Sequence, residues 1–207
     1  MKVANFSGGR EHTFRHAVRP PEDGLFKLAA PRCVEEAIGD LPAQLVGAAH
    51  GIPYRAKPSC AFQEAMRLGA SDVQNHVAAG LSPINLQRIR HVGPGGSWRD
   101  IPFDLLPEGM KRARRSDHTR RYGRLDPKDV SGTILTKCDP HWGTVVHYSE
   151  DRVLSVREAA RIQSFPDWFR FTGSTADMYR QVGNAVPPLL AKSLALHIKK
   201  LLRGHRD

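Results

Sequence analysis

The sequence predicts a mixed α/β chain, and three observations predict it. Ser155 and Glu158 stand in the S-x-x-E spacing of a capping box, ahead of a run in which Val156, Ala159, Ala160 and Gln163 share one helical face. Two stretches at 133–136 and 144–148 are rich in β-branched residues and flank a turn at 139–143. Leu190, Leu194, Ile198 and Leu201 lie on one stripe of a final helix.

Taken in order, residues 1–30 mix Gly, Pro, His and charge without sustained periodicity, and are read as an irregular arm. Residues 33–38 suit a short helix stopped by Gly39 and Pro42, while 43–57 carries no clear period. Phe62, Ala65 and Met66 fall at helical spacing over 61–68, with Gly69 as the stop. Ser82 is placed to cap a helix through Ile84, Leu86 and Ile89, with Pro83 at its first position.

The run Gly93-Pro-Gly-Gly96 breaks that helix. It is neither a G-x-G-x-x-G after a strand nor a P-loop, so a flexible loop beside Trp98 and Arg99 is the better reading. The next stretch, 111–124, carries seven Lys/Arg and one acid, Asp117. Such a run is either a solvated face or a set of phosphate contacts. The stretches 133–136 and 144–148 are expected to form a hairpin that leads into the Ser155-capped helix. Phe165-Pro166 ends that helix, since a residue before proline leaves the α region. A turn at Gly183-Asn184 then precedes Pro187, which opens the last helix, and Gly204 is its stop.

Composition narrows the partners. The chain has 207 residues, 31 Lys+Arg against 21 Asp+Glu, a net charge of +10 and 40% hydrophobic residues. A balance this basic favours a polyanion, of which nucleic acid is the commonest. No apolar run approaches a membrane span and the N-terminus lacks the apolar core of a signal peptide, so a cytoplasmic, nucleoid-associated location is expected. Three cysteines, Cys33, Cys60 and Cys138, do not make an even disulfide set. Cys138, His141 and His147 lack a fourth ligand at workable spacing, so no metal site is assigned.

Two stretches carry a family resemblance. They are Arg152-Val-Leu-Ser-Val-Arg-Glu-Ala-Ala-Arg-Ile-Gln-Ser-Phe-Pro-Asp167 and Arg180-Gln-Val-Gly-Asn-Ala-Val-Pro-Pro-Leu-Leu-Ala191. In order and separation they resemble the two C-terminal conserved motifs of DNA (cytosine-5) methyltransferases. Looser resemblance to that family's variable target-recognition region lies at 34–42, 88–102, 122–126 and 131–136.

The resemblance implies the C-terminal portion of a doubly wound, S-adenosylmethionine-dependent methyltransferase fold plus a small mixed α+β target-recognition lobe. Residues 31–147 would be the lobe, and 148–207 the piece returning to the catalytic domain. It implies double-stranded DNA as partner and S-adenosylmethionine as cofactor, with Asn184, Ala185 and Val186 at the cofactor pocket and Gly183 allowing a close turn. An N–H cluster at the last helix's start would suit the cofactor's carboxylate. Arg99, Arg120, Arg121, Arg124, Thr133 and Thr136 are the candidate DNA contacts. Arg157, Glu158 and Arg161 are internal anchors first.

The family's reaction adds a cysteine thiolate to C6 of an extruded cytosine, so that C5 can take the methyl group. The Pro-Cys-Gln loop that supplies the thiolate is absent, the cysteines here standing in Arg32-Cys-Val, Ser59-Cys-Ala and Lys137-Cys-Asp. No residue matches a catalytic position, and the chain alone is expected to be inactive. A second chain carrying the remaining motifs, a DNA-binding module without chemistry, and a truncated remnant all stay open. The parallel sheet that should cover the final helix is also missing, so its apolar stripe is expected to be exposed.

Overall fold

The computed structural model describes residues 31–43, 51–54, 56–114, 116 and 120–204, and Cys33 onward forms one packing unit. The arm expected at 1–30 lies outside the described residues. The helices are α1 (Val34–Ile38), α2 (Ala61–Arg67), α3 (Pro83–Ile89), α4 (Glu108–Lys111), α5 (Val156–Ile162), α6 (Thr175–Asn184) and α7 (Pro188–Gly204). Two 3₁₀ turns, Trp98–Asp100 and Phe103–Leu105, lie between α3 and α4. The strands β1 (Gly123–Arg124) and β2 (Thr144–Val146) pair in parallel.

Local chemistry explains most boundaries. Ser82 accepts from the Asn85 N–H and Pro83 opens α3, as the spacing predicts. The Cys33 N–H donates to the Glu36 carboxylate at 2.8 Å, while the first free N–H groups of α1, on Val34 and Glu35, donate to the carbonyls of Asp129 and Pro127. The Ser155 capping box forms in both directions, with Glu158 N–H to Ser155 Oγ at 3.1 Å and Ser155 N–H to Glu158 Oε2 at 2.6 Å.

Two expectations are corrected. The hairpin does not form. Val145 and Val146 are buried, and β2 pairs with β1 upstream and bridges Val153 downstream. Residues 131–135 hold no strand, because Ile134 turns into the core and the Leu135–Thr136 backbone packs on α6. Nor is Gly183-Asn184 a turn. A second capping box, Ser174 with Asp177, starts α6 eight residues earlier, and both residues sit in its last turn.

Two apolar clusters hold the unit together. The first joins Val34 and Ile38 of α1, Phe62 and Met66 of α2, Val156, Ala159 and Ala160 of α5, and Met178, Tyr179 and Val182 of α6. The two alanines let α5 approach closely, as the thin face predicts. The helices α1 and α2, grouped by sequence with the 31–147 lobe, thus pack with the C-terminal piece. The second cluster gathers Ile89, Val92, Trp98, Ile101, Leu106, Met110, Tyr122 and Val146. On α7, Leu190, Leu194, Ile198 and Leu201 are 51–55% exposed, in keeping with the expected open stripe.

Helix α5 also buries three ions. Arg161 grips the Asp167 carboxylate with Nε and Nη2 and reaches Asp40 Oδ1 at 3.0 Å and the Ala37 carbonyl at 3.1 Å. Arg157 donates to the carbonyls of Gln74, Pro166 and Phe169. Glu158 takes a bidentate pair from Arg152, both bonds 2.7 Å. Two histidines attend it: His147 Nε2 lies 3.6 Å from Glu158 Oε1, and the Ser155 hydroxyl is 2.9 Å from His76 Nδ1.

These groups make stability depend on pH. Burial pushes the Glu158 carboxyl up, but Arg152 outweighs it and holds the value at about 2, below the usual 4.5. Burial pushes His76 and His147 below 6.5, against the opposing pull of Glu158. The unfolded chain therefore protonates its histidines first as pH drops below 6.5, and its Glu158 first below 4.5. Both effects remove stability on acidification. The urea midpoint should fall from pH 7 to pH 5 and again below 4.5, and the first fall should shrink in His147→Gln. A midpoint that stays level from pH 7 to 5 would contradict the burial of two neutral histidines.

Candidate nucleic-acid interface

The basic residues at 120–121 are held by backbone bonds on both sides. The Arg121 carbonyl accepts from the Trp98 N–H at 2.9 Å, and the Tyr122 N–H donates to the Pro140 carbonyl at 2.6 Å. Gly123 lies against both the Arg120 carbonyl and Thr144, leaving no room for a side chain. Tyr122 itself adopts φ +52° while fully buried in the second cluster, an unusual conformation for an aromatic residue. This turn delivers Arg120 to solvent and sets the Arg121 guanidinium 5.5 Å over the ring of Trp142, which is 59% exposed. Arg99 joins the same end of the cluster, its guanidinium 5.2 Å from the Trp98 ring centre and donating to Ser97 Oγ at 3.3 Å.

The turn carrying Trp142 then leads to α6. A methyl group built on Gly143 would come within 3.2 Å of Leu135 Cδ1. One built on Gly183 would stand 2.6 Å from the Leu135 carbonyl and the Thr136 nitrogen. Residues 135–136 are therefore wedged between the Trp142 turn and the last turn of α6. Thr133 and Thr136 are both exposed, as is Asn184 one residue beyond Gly183. The function of Gly183 is thus close helix-to-loop approach rather than a turn of its own.

Among the sequence-predicted contacts, the structure brings Arg99, Arg120, Arg121 and Thr136 into this run and sets Thr133 in the loop leading to it. Arg124 is a correction. It is buried, and its guanidinium bonds the carbonyls of Val92, His147, Glu150 and Ile89 and the Asp151 carboxylate. A guanidinium has five donors, so none is left for phosphate. Arg157, Glu158 and Arg161 are likewise enclosed, at most 1% exposed. Trp142 was legible only as part of a turn; its exposure and its pairing with Arg121 are tertiary facts.

Asn184 ends α6, and Ala185 and Val186 begin the link to α7. Asn184 lines an open depression of about 410 Å³ with Thr172, Gly173, Asp177, Arg180 and Gln181. Val186 is 60% exposed. The expected carboxylate cradle at the start of α7 is not there, and this is a second correction. Pro187 and Pro188 have no N–H, and the Leu189 N–H donates to Ser164 Oγ at 3.1 Å.

Cys138 is not a thiolate. Its thiol meets the Leu154 carbonyl at 3.5 Å, and burial pushes it up to about 12. Cys60 Sγ likewise meets the Glu36 carbonyl.

Comparison with known proteins gives the family and the fold. A family profile described as C-5 cytosine-specific DNA methylase matches residues 81–200. The chain is 35% identical to DNA (cytosine-5)-methyltransferase 1A of Oryza sativa subsp. japonica, covering 84% of this chain and 12% of that protein. It is 39% identical to the Type II methylase M.HgiDII of Herpetosiphon aurantiacus over 62% of this chain and 38% of that one. A crystal structure assigned as a prophage-encoded DNA modification methyltransferase of E. coli shares the fold, with a TM-score of 0.57 and 20% identity over 91% of this chain and 53% of the other. The chain therefore spans only a part of the proteins it matches.

The contact at Gly183 gives a test of the α6 seam. In an ordinary helix, Gly→Ala would add up to about 1 kcal/mol of stability. Here the new methyl would collide with backbone, and overpacking costs about 1–3 kcal/mol or more. Gly183→Ala should lower the melting temperature, while Gly132→Ala, which meets open space, should change stability by no more than about 0.5 kcal/mol. Calorimetry of both variants checks this, and a stabilised Gly183→Ala would refute the seam.

Proposed function

Because the chain belongs to the C-5 cytosine-specific DNA methylase family, we propose that it supplies DNA recognition and one wall of the S-adenosylmethionine pocket to a DNA (cytosine-5) methyltransferase. The observation that carries this reading is the seam of contacts from Arg120–Arg121 through the Trp142 turn and Leu135–Thr136 to Gly183–Asn184. It joins the basic surface to the residues assigned to the cofactor edge by packing alone. DNA held at one end would thereby be kept in fixed register with cofactor at the other.

The division of labour follows from the side chains. Arg99, Arg120 and Arg121, with the exposed hydroxyls of Thr133 and Thr136, bind phosphate and set orientation, which is sequence-independent. Asn184, Ala185 and Val186 would line the cofactor, which supplies the methyl group. Helix α5 orients the whole by tying loops from both ends of the chain. The thiolate comes from polypeptide outside these 207 residues, since no Pro-Cys-Gln loop is present and Cys138 is held protonated. On this reading the chain alone binds DNA and transfers no methyl group, and its setting is the compartment that holds the DNA.

Phosphate binding of this kind has a salt signature. Each phosphate contact steepens the fall of log K with log salt by about 0.9. The wild-type chain should shift duplex DNA in a gel at low salt, and Arg120→Ala/Arg121→Ala should reduce the slope by about 2. Arg124→Ala should unfold the second cluster rather than change the slope alone. A double variant with an unaltered slope would remove these arginines from the interface.

A further inference from the structure

The exposed Trp142 is costly where it stands, and the protein invests several contacts in keeping it there. The turn that carries it is closed by the Trp142 N–H to the Asp139 carbonyl at 3.0 Å, and stiffened by the His141 N–H to Asp139 Oδ1 at 2.9 Å. Behind the indole stands a column of rings. His141 meets it edge to face at 5.1 Å and meets Tyr122 in the same way at 6.0 Å. Tyr122 is anchored in the second cluster, with its hydroxyl bonded to Asn85 and Arg88. The Arg121 guanidinium lies 5.5 Å over the Trp142 ring. An indole propped from the core and topped by the Arg121 guanidinium is poised to meet something flat, apolar and anionic.

We propose that Trp142 is a stacking wedge for duplex DNA, inserting against a base at the methylation site while Arg121 takes the adjoining phosphate. This inference rests on the DNA-binding reading above. Two features of the surface favour DNA over a protein partner. The two segments that meet at this turn leave the cationic Arg120, Arg121 and Lys137 and the hydroxyl of Thr136 exposed or half-exposed. The acid of the same turn, Asp139, is half-buried and accepts the His141 N–H. An apolar side chain that enters a base step partly unstacks it, and stacking of a base on an aromatic ring offsets that loss. A base already freed from its pair would be held at less cost than a paired one.

The test uses the full chain and a short duplex, with and without one abasic position opposite a cytosine. Removing a stacked ring should weaken binding by roughly 5- to 100-fold. Trp142→Ala should therefore lose affinity on that scale with an unchanged salt slope, because no charge is removed, whereas Arg121→Ala should lower the slope by about 1. The wild type should bind the abasic duplex more tightly than the intact one, and Trp142→Ala should lose that preference. Trp142→Phe, which keeps a ring, should retain most of the affinity and confirms that the turn still folds. If Trp142→Ala binds both duplexes as the wild type does, the wedge is wrong while DNA binding stands. If the wild type binds neither duplex in a salt-dependent way, the proposed function fails and takes this inference with it.

Discussion

The structure depends on three ions buried along two turns of α5. Arg157, Glu158 and Arg161 are fully enclosed, and each closes a different part of the chain. Arg161 draws Asp40 at the end of α1 to Asp167 beyond α5. Arg157 holds the 74–75 and 166–169 backbones. Glu158 gathers Arg152, and through its own helix cap it meets His76. A buried ion pair adds little net stability against apolar packing, but losing one partner strands a charge at a cost of about 3–5 kcal/mol. Such a set favours one geometry steeply over near alternatives.

That constraint reaches the interface. Val153 and Leu154, just before the Ser155 cap, bond β2 at Val146 and Val145. Strand β2 in turn fixes β1 and so the Arg120–Arg121 turn. Arg124 works from the other side, tying the carbonyls of Ile89 and Val92 to those of His147 and Glu150. The exposed cations are thus the tips of a frame whose buried cations do the holding. On the proposed function, which keeps a base and a cofactor in register, this separation of roles matters, because a misplacement of about 1 Å can cost two orders of magnitude in rate.

The sequence made the local signals readable and the convergent ones not. Ser155 with Glu158, Ser82 with Pro83, and the Leu190–Leu201 periodicity each report on neighbours within a few residues, and each appears as expected. Ser174 with Asp177 was a signal of the same kind at the start of α6. Arg124 illustrates what is out of reach. Beside Arg120 and Arg121 in a basic run it is chemically identical to them. Only the meeting of four carbonyls from 89, 92, 147 and 150 sends it inward. The missing hairpin has the same origin: β propensity at 133–136 is real, but Gly183 takes that backbone as its packing partner. Of the candidate site, the residue types were legible and the seam linking them was not.

On the proposed function, the stripe on α7 bears on how the thiolate is delivered. Leu190, Leu194, Ile198 and Leu201 are each a little over half exposed. Burying such a side chain fully is worth about 1.5–3 kcal/mol, so covering the exposed half of all four is worth roughly 3–6 kcal/mol. Association of separate chains costs about 4–15 kcal/mol in lost freedom before any contact is counted. The stripe alone therefore cannot hold an independent catalytic chain firmly, although it is ample for a segment of the same polypeptide. A split enzyme would need further interface, or DNA and cofactor bound across both parts. On the proposed function, DNA and cofactor bound at opposite ends of the seam would act as the additional clamp, and a separate catalytic chain would assemble on this one chiefly when both are present.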